Sequence, residues 1–295
     1  MDKEFIIVGI GELLWDVFPE GKRLGGAPVN FSYHCHQLGA TGYPVSAIGN
    51  DELGAEIRDV LVSKILPDAF VTLDETHPTG TVQVTLENGK PSYEICEGVA
   101  WDHIPISGKL EALAQKTDVV CFGSLAQRNQ ASRSAIHTFL GAMRSDALKI
   151  FDVNLRQAFY SKEVIQASLK HSNILKLSDE ELPVLAEMFG VDGSVVEQLN
   201  TLRAKFDLKL VAYTRGPDGS LLVAATETDD HPGCPCNAID SVGAGDSFTA
   251  ALCMGLLNKT PLSEINEHAN RVGSYVCQQS GATPVLPEEL RFKVI

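Results

Sequence analysis

The segment Asp240–Phe248 places a carboxylate directly after two glycines. Gly243, Ala244 and Gly245 leave their backbone N–H groups unobstructed in front of a predicted helix, whose first N–H groups lack partners and carry partial positive charge. This pattern predicts a cradle for a small anion. A carboxylate at Asp246 would repel a resting phosphate. We therefore interpret Asp246 as a base for a hydroxyl that attacks the bound phosphorus, with a simple helix cap as the alternative.

A second glycine cluster lies at Leu24–Asn30, before a predicted helix over 31–38. The pair Gly25–Gly26 lets a ligand approach the backbone closely, and Asn30 offers both donors and an acceptor. The alternative is an ordinary loop before a helix start. The glycine cluster at Gly243–Gly245 is followed by an apolar run over 248–257 that also predicts a helix.

Composition limits the classes of function. The chain has 295 residues, of which 44% are hydrophobic, and this fits one large domain. Its net charge of -14 argues against nucleic acid and anionic membranes as partners. No apolar run approaches the roughly 18 residues of a membrane span, and no signal peptide is recognisable. The seven scattered cysteines predict free thiols in a reducing cytoplasm.

The elements that must position these residues follow a βα pattern from residue 105 onward. Strands that alternate with helices predict a mostly parallel sheet covered on both faces, as in a three-layer α/β sandwich. Polar residues cluster where the predicted strands end, which is where open α/β sheets bind ligands. These residues are Asn154, Arg156, Glu181, Thr214 and Gly216. Lys176 is interpreted as a solvated strand-end lysine, with a phosphate contact as the alternative.

A different pattern occupies residues 70–104. Thr79–Leu86 alternates with period two, Asn88–Gly89 predicts a tight turn, and Pro91–Glu97 predicts the returning strand of an antiparallel hairpin. With residues about 12–24, this region predicts a small β-sheet lid that excludes water from a cleft. The exposed edges of such a lid favour a homodimer formed through it.

Several motifs resemble the ribokinase/PfkB family of carbohydrate kinases along nearly the whole chain. Asp240–Phe248 resembles the C-terminal signature of that family. Three segments resemble its N-terminal signature: Gly25–Asn30, Leu38–Ala40 and Ile48–Gly54. Within the family the chain is most similar to fructokinases, on the segments Gly11–Asp16, Trp101–Asp102, Phe122–Arg128 and Asp152–Arg156. The resemblance implies a single ribokinase-like domain over residues 1–295, with the lid built from about 12–24 and 70–104.

The resemblance also implies roles for single residues. Asp246 would be the catalytic base, and Gly243, Ala244 and Gly245 would form the anion hole for the transferring phosphoryl group. The sugar hydroxyls would be bound by Asp16, Gly26 and Asn30. Arg156 is interpreted as a contact for a charge of the substrate or of a phosphate, with a surface arginine that caps a strand end as the alternative.

For the nucleotide and metal, the resemblance implies ATP, Mg²⁺ and a monovalent cation such as K⁺. Glu181 occupies the acidic position of the family's Asn-x-x-Glu motif, in which Ser178 replaces Asn, and would bind Mg²⁺ through water. ATP would be bound by Thr214, Gly216, Gly243, Gly245, Asn270 and Gly273.

Three functions remain open from the sequence. The first is an ATP-dependent kinase that phosphorylates a primary hydroxyl of fructose. The second is the same chemistry on another sugar, a sugar acid of the 2-keto-3-deoxygluconate type, or a nucleoside. The third is a catalytically silent protein that binds sugar or nucleotide, which would have no chemical need for Asp246 and its glycines.

Overall fold

The structure, a computed structural model, describes residues 4–87 and 90–291. Its strands, β1 to β13 in chain order, are Ile6–Ile10, Leu14–Phe18, Gly21–Gly25, Thr41–Gly49, Val71–Asp74, Gly80–Glu87, Lys90–Ile95, Val119–Phe122, Leu148–Asp152, Ile174–Ser178, Leu210–Thr214, Ser220–Ala224 and Thr228–His231. Its helices, α1 to α9, are Ala27–Gln37, Glu52–Ser63, Gly108–Lys116, Gln130–Ala142, Lys162–His171, Glu181–Phe189, Val195–Lys205, Ala244–Leu257 and Leu262–Cys277. Short 3₁₀ turns lie at Ala100–His103, Leu125–Gln127, Gly216–Asp218 and Glu288–Leu290.

The main sheet has nine strands in the order β13-β12-β11-β10-β9-β8-β1-β4-β5. The seven neighbouring strands β11, β10, β9, β8, β1, β4 and β5 pair in parallel. Strands β12 and β13 complete the edge next to β11 in antiparallel pairing. The central strands are apolar and buried, because helices cover both faces of the sheet. Phe31 of α1 and Phe248 of α8 pack on one face, and Phe139 of α4 and Leu169 of α5 on the other. The predicted three-layer α/β fold is confirmed.

A separate sheet of four strands has the order β3-β2-β6-β7. Two antiparallel hairpins form it, and the parallel pair β2–β6 joins them. The predicted turn at Asn88–Gly89 lies outside the described residues. The lid assignment for 70–104 was too wide, because β5 pairs in parallel with β4 at the edge of the main sheet. The lid strands therefore come from 14–25 and 80–95.

The helix predicted after the second glycine cluster starts four residues earlier than expected. Helix α1 begins at Ala27, with Gly26 as its N-cap and Pro28 in its first turn. Proline is tolerated there because the first N–H groups of a helix have no intrahelical acceptors. Asn30 is therefore a helical residue, and its direction is fixed by the helix. Within the described residues, no helix is long and apolar enough to cross a membrane.

Arg128 ties the end of the lid to the main domain. Its Nε and Nη2 donate to the two carboxylate oxygens of Asp102 at 2.8 and 2.9 Å, and Nη2 also donates to the carbonyl of Cys96, just after β7. The guanidinium lies 4.0 Å from the ring centroid of Trp101 and 4.7 Å from that of Phe159. Arg128 thus holds three separate segments in one place.

Candidate active site

The residues of the predicted anion cradle lie at the N-terminus of α8, where the N–H of Ala244 donates to the carbonyl of Ser241 at 3.3 Å. Gly243 is the N-cap residue with φ of 80°, and Ala244, Gly245 and Asp246 form the first turn of the helix. A side chain at Gly243 would place its Cβ 2.5 Å from the carbonyl oxygen of Ala282. Asp246 is thus part of the helix itself, and the alternative of a simple N-cap aspartate is not what the structure has.

Replacing Gly243 with alanine is expected to lower kcat/KM for ATP by about 100-fold. A positive φ costs a non-glycine residue roughly 1–2 kcal/mol, and the clash with Ala282 involves backbone, so the helix start must shift. Displacing reacting groups by about 1 Å costs on the order of 10²-fold. Gly141→Ala is the matched control, since nothing lies within 4 Å of its Cβ. Steady-state kinetics measure kcat/KM for both variants, and an equal loss of kcat/KM in Gly243→Ala and Gly141→Ala would contradict this prediction.

The two glycine clusters meet through one hydrogen bond. The Nδ2 of Asn30 in α1 donates to the Oδ2 of Asp246 in α8 at 2.9 Å. The Oδ1 of Asn30 is buried and has no partner among the described residues. A buried acceptor without a partner is costly, so a ligand hydroxyl is a natural donor for it.

Asp16 lies on β2 of the lid, opposite Arg23 of β3. A Cβ on Gly25 would lie 2.5 Å from the Asp16 Oδ2, so that glycine leaves the space that the carboxylate occupies. Burial raises the pKa of Asp16 to about 6, while the charges of Arg156 and Arg23 oppose that rise. Arg156 itself is exposed and donates to the carbonyl of Leu155.

Glu12 belongs to the same site, although no role was predicted for it within the segment Gly11–Asp16. Its side chain is only 3% exposed, and its Oε2 has no partner among the described residues. Burial raises the pKa of Glu12 to about 7; Asp246 adds to this effect and Arg156 opposes it. The site therefore holds a third acid beside Asp16 and Asp246.

The free energy of unfolding should depend on pH through Glu12. Because its pKa is raised from 4.5 to about 7 in the folded state, its contribution is fully present below pH 4.5 and is lost as the pH rises through about 7. We expect Glu12→Gln to gain on the order of 2–3 kcal/mol relative to wild type between pH 5 and pH 8. Urea denaturation at both pH values measures this gain, with exposed Glu20→Gln as control. Parallel pH profiles for wild type and Glu12→Gln would contradict it.

Lys176 is not the solvated strand-end lysine that the sequence suggested. It lies on β10 with 9% of its surface exposed, and its Nζ contacts the Oδ1 of Asp152 at 3.1 Å. Burial raises the pKa of Asp152 to about 7, and Lys176 opposes that rise. Strand-end position alone did not reveal this burial, because Gly245 of α8, which lies beside the Lys176 ammonium, is distant in sequence.

Glu181 begins helix α6 and bridges two strand ends. Its Oε1 accepts from the N–H of Leu155 at 2.9 Å, and its Oε2 accepts from the N–H of Ser178 at 2.8 Å. The described residues contain no cluster of three side chains that could hold a metal directly. A carboxylate held at both oxygens, with lone pairs left over, suits a metal ion bound through water.

The residues predicted to bind the nucleotide lie on two elements. Thr214 ends β11, and Gly216 starts the 3₁₀ turn after it with φ of 55°. Gly273 packs on the start of α8, where a Cβ would be 3.4 Å from the Ala244 carbonyl. The Nδ2 of Asn270, however, donates to Ser220 Oγ and to Asn266. That amide nitrogen is thereby engaged within the protein.

Comparisons with known proteins identify the family of the chain. Residues 11–289 match the model of the pfkB family carbohydrate kinases. An uncharacterized sugar kinase of Pyrococcus horikoshii is 30% identical over 311 residues, which cover 98% of this chain and 96% of the relative. A fructokinase of Escherichia coli is 25% identical over 304 residues, covering 94% of this chain and 95% of the relative.

Solved structures extend the comparison to the fold. The Pyrococcus sugar kinase in complex with ATP has a TM-score of 0.80, at 28% identity, covering 95% of this chain and 94% of that one. A double-mutant fructokinase of Vibrio cholerae O395, with fructose, ADP and potassium bound, has a TM-score of 0.81 at 24% identity, covering 97% and 96%. The latter shows likeness of fold alone.

Proposed function

Since the chain belongs to the pfkB family of carbohydrate kinases, we propose that it transfers the γ-phosphoryl group of ATP to a primary hydroxyl of fructose. The chain is an ATP-dependent sugar kinase, a phosphotransferase with a sugar hydroxyl as acceptor. The choice of fructose and the roles of single residues are our proposal. The observation that carries the residue roles is the 2.9 Å hydrogen bond from Asn30 to Asp246, which joins the proposed sugar-binding side chain to the proposed base. The choice of fructose is supported by the similarity to fructokinases and by the charges of the site.

In the proposed reaction, Asn30 and Asp16 bind sugar hydroxyls, and Gly26 and Arg156 border them. The carboxylate of Asp246 takes the proton of the attacking hydroxyl as its oxygen forms a bond to the γ-phosphorus. The amides of Gly243, Ala244 and Gly245 stabilise the charge on the transferring group.

We propose ATP and Mg²⁺ as the cofactors, and the Pyrococcus sugar kinase has been solved in complex with ATP. Magnesium supplies charge neutralisation on the phosphates, and we propose that Glu181 holds it through water. Thr214, Gly216, Gly273 and Asn270 are proposed to border the nucleotide, Asn270 through its side-chain oxygen or its backbone. The Vibrio fructokinase binds potassium, and we propose that K⁺ also acts here. Turnover in K⁺ compared with Na⁺ tests that ion.

The charges of the site support a neutral sugar over a sugar acid. The carboxylates of Glu12, Asp16 and Asp246 are each desolvated enough for burial to raise their pKa. A substrate carboxylate among them would add like-charge repulsion. The positive charge of Arg156 opposes the rise in pKa of all three carboxyl groups, and its side chain is exposed. Carboxylates accept hydrogen bonds from hydroxyls, which suits a polyol.

An ADP-release assay with MgATP tests the substrate. The acceptors are fructose, ribose, glucose, 2-keto-3-deoxygluconate and adenosine. We expect the highest kcat/KM with fructose. A higher value with another acceptor would overturn the fructose assignment and leave the kinase chemistry intact.

We also propose the cellular setting and assembly. All seven cysteines are free, which supports a reducing cytoplasm. The lid strands β3 and β7 are the edges of the small sheet, which supports a homodimer formed through the lid of a single ribokinase-like domain. A mass equal to one chain in light scattering at micromolar concentration would reject the dimer.

A further inference from the structure

Lys176 is buried where an unpaired ammonium would be very costly. Its side chain is 11% exposed, and that of its partner Asp152 is 7% exposed. Lysine is seldom buried without a charged partner, and a buried ion pair by itself often adds little to stability. The position of the ammonium therefore calls for a reason beyond folding.

That position is beside the predicted anion cradle. A Cβ built on Gly245 would lie 3.2 Å from the Lys176 Nζ and 3.9 Å from its Cε. From standard bond lengths, Nζ is then within about 6 Å of the Gly245 backbone nitrogen. One phosphoryl oxygen between them can accept hydrogen bonds of about 2.9 Å from both donors. The absence of a side chain at Gly245 thus leaves room for the ammonium.

The surrounding charges keep Lys176 protonated. Burial by itself lowers the pKa of Lys176, but the carboxylates of Asp152, Glu181 and Asp246 outweigh burial and raise it. The carboxylate of Asp246 repels a triphosphate that approaches it, and the protonated Lys176 beside Gly245 offsets that repulsion.

We propose that Lys176 is a catalytic residue whose ammonium donates a hydrogen bond to a non-bridging oxygen of the γ-phosphoryl group during transfer. This inference rests on the proposed phosphoryl transfer at Asp246. The sugar oxygen forms its bond to phosphorus, and the bond from phosphorus to the β,γ-bridging oxygen breaks. ADP leaves with that electron pair, and the hydroxyl proton goes to Asp246. Lys176 remains protonated throughout and stabilises charge that grows on the transferring oxygens.

The competing explanation is that Lys176 only neutralises Asp152. A single Lys176→Met change cannot separate the two, because it leaves Asp152 buried without a partner. The paired variant Lys176→Met/Asp152→Asn removes both charges together. If that variant does not fold, Lys176→Gln/Asp152→Asn is used in its place, because glutamine and asparagine can still form a hydrogen bond between the two side chains. Circular dichroism and thermal melting establish folding.

Two measurements are made on the folded paired variant. We expect kcat to fall by about 10²–10³-fold, as on loss of one preorganised donor to a developing charge. By calorimetry, the Kd for ATP should rise by at least about tenfold while the Kd for ADP changes little, because only ATP carries the γ-phosphoryl group. Lys149→Met, which removes a lysine that bonds to the Leu140 carbonyl, should leave the ratio of the two Kd values unchanged.

A paired variant with kcat within about threefold of wild type and an unchanged ratio of Kd values would overturn the proposal. Lys176 would then serve only to balance Asp152. If no sugar supports turnover by the wild-type protein, the proposed function fails by itself. The comparison of ATP and ADP binding still decides whether Lys176 contacts the γ-phosphoryl group.

Discussion

Replacing Asp246 with asparagine is expected to lower kcat by about 10²–10⁴-fold while ATP and sugar still bind. Asparagine has nearly the same shape, and its side-chain oxygen can still accept the hydrogen bond from Asn30. It cannot accept the proton of the attacking hydroxyl. The loss should therefore appear in kcat, and binding of each substrate alone, measured by calorimetry, should change little.

Wild-type activity should also fall in acid for the same reason. Burial raises the pKa of Asp246, while Asn30, Lys176 and Arg156 oppose that rise. The carboxylate is therefore protonated at a higher pH than an ordinary aspartate, and kcat falls as the pH is lowered through that pKa. Asp218→Asn on the exposed turn before Gly219 is the control. Near-normal turnover by Asp246→Asn would reject the assignment of the base.

Replacing Arg128 with methionine is expected to lower the free energy of unfolding by about 3–5 kcal/mol. The side chains of Arg128 and Asp102 are only 6% and 2% exposed, so the change leaves a buried carboxylate without its cation. The variant also loses the hydrogen bond to the Cys96 carbonyl and the contacts with the Trp101 and Phe159 rings. Urea denaturation monitored by tryptophan fluorescence measures the change.

Two further variants separate the buried charge from general packing. Arg128→Met/Asp102→Asn should recover part of the lost stability, because no charge is then buried alone. Lys22→Met breaks an ion pair whose side chains are 32% and 39% exposed, and should cost less than about 1 kcal/mol. Equal losses for Arg128→Met and Lys22→Met would contradict the role of burial.

Local sequence signals predicted much of the fold. The βα pattern after residue 105 predicted parallel strands with helical connections, and β8, β9 and β10 are such strands. The start of α1 was missed because proline in a first helical turn looks like a loop. Strand β5 was placed in the lid because its four residues carry no signal for either sheet. Its pairing with β4 is decided by tertiary contacts and not by its local sequence.

Some residues of the candidate site were predicted and others were not, because only some of them carry a local signal in the sequence. Glycines near Asp246 and Asn30 predicted that the backbone approaches a ligand there, and such signals are local in sequence. Lys176 has no glycine beside it, and the glycine before Glu12 was not interpreted as a sign of a ligand. The burial of Lys176 and Glu12 depends on segments far along the chain, since Gly245 of α8 lies beside the Lys176 ammonium and the start of α1 lies over Glu12. A charged residue in an apolar run is the one signal that would have drawn attention to Lys176.

The parallel pairing of β2 with β6 has a consequence for how the protein folds. Leu14 pairs with Gly80, and the chain between them forms α1, β4, α2 and β5 of the main domain. Closing such a long loop costs entropy that local contacts do not repay, so pairings of this kind form slowly. We therefore expect the lid sheet to assemble only after the intervening segment has folded and brought its two hairpins together. We expect the edges of β2 and β6 to be exposed in that interval during synthesis and refolding, where a chaperone would shield them.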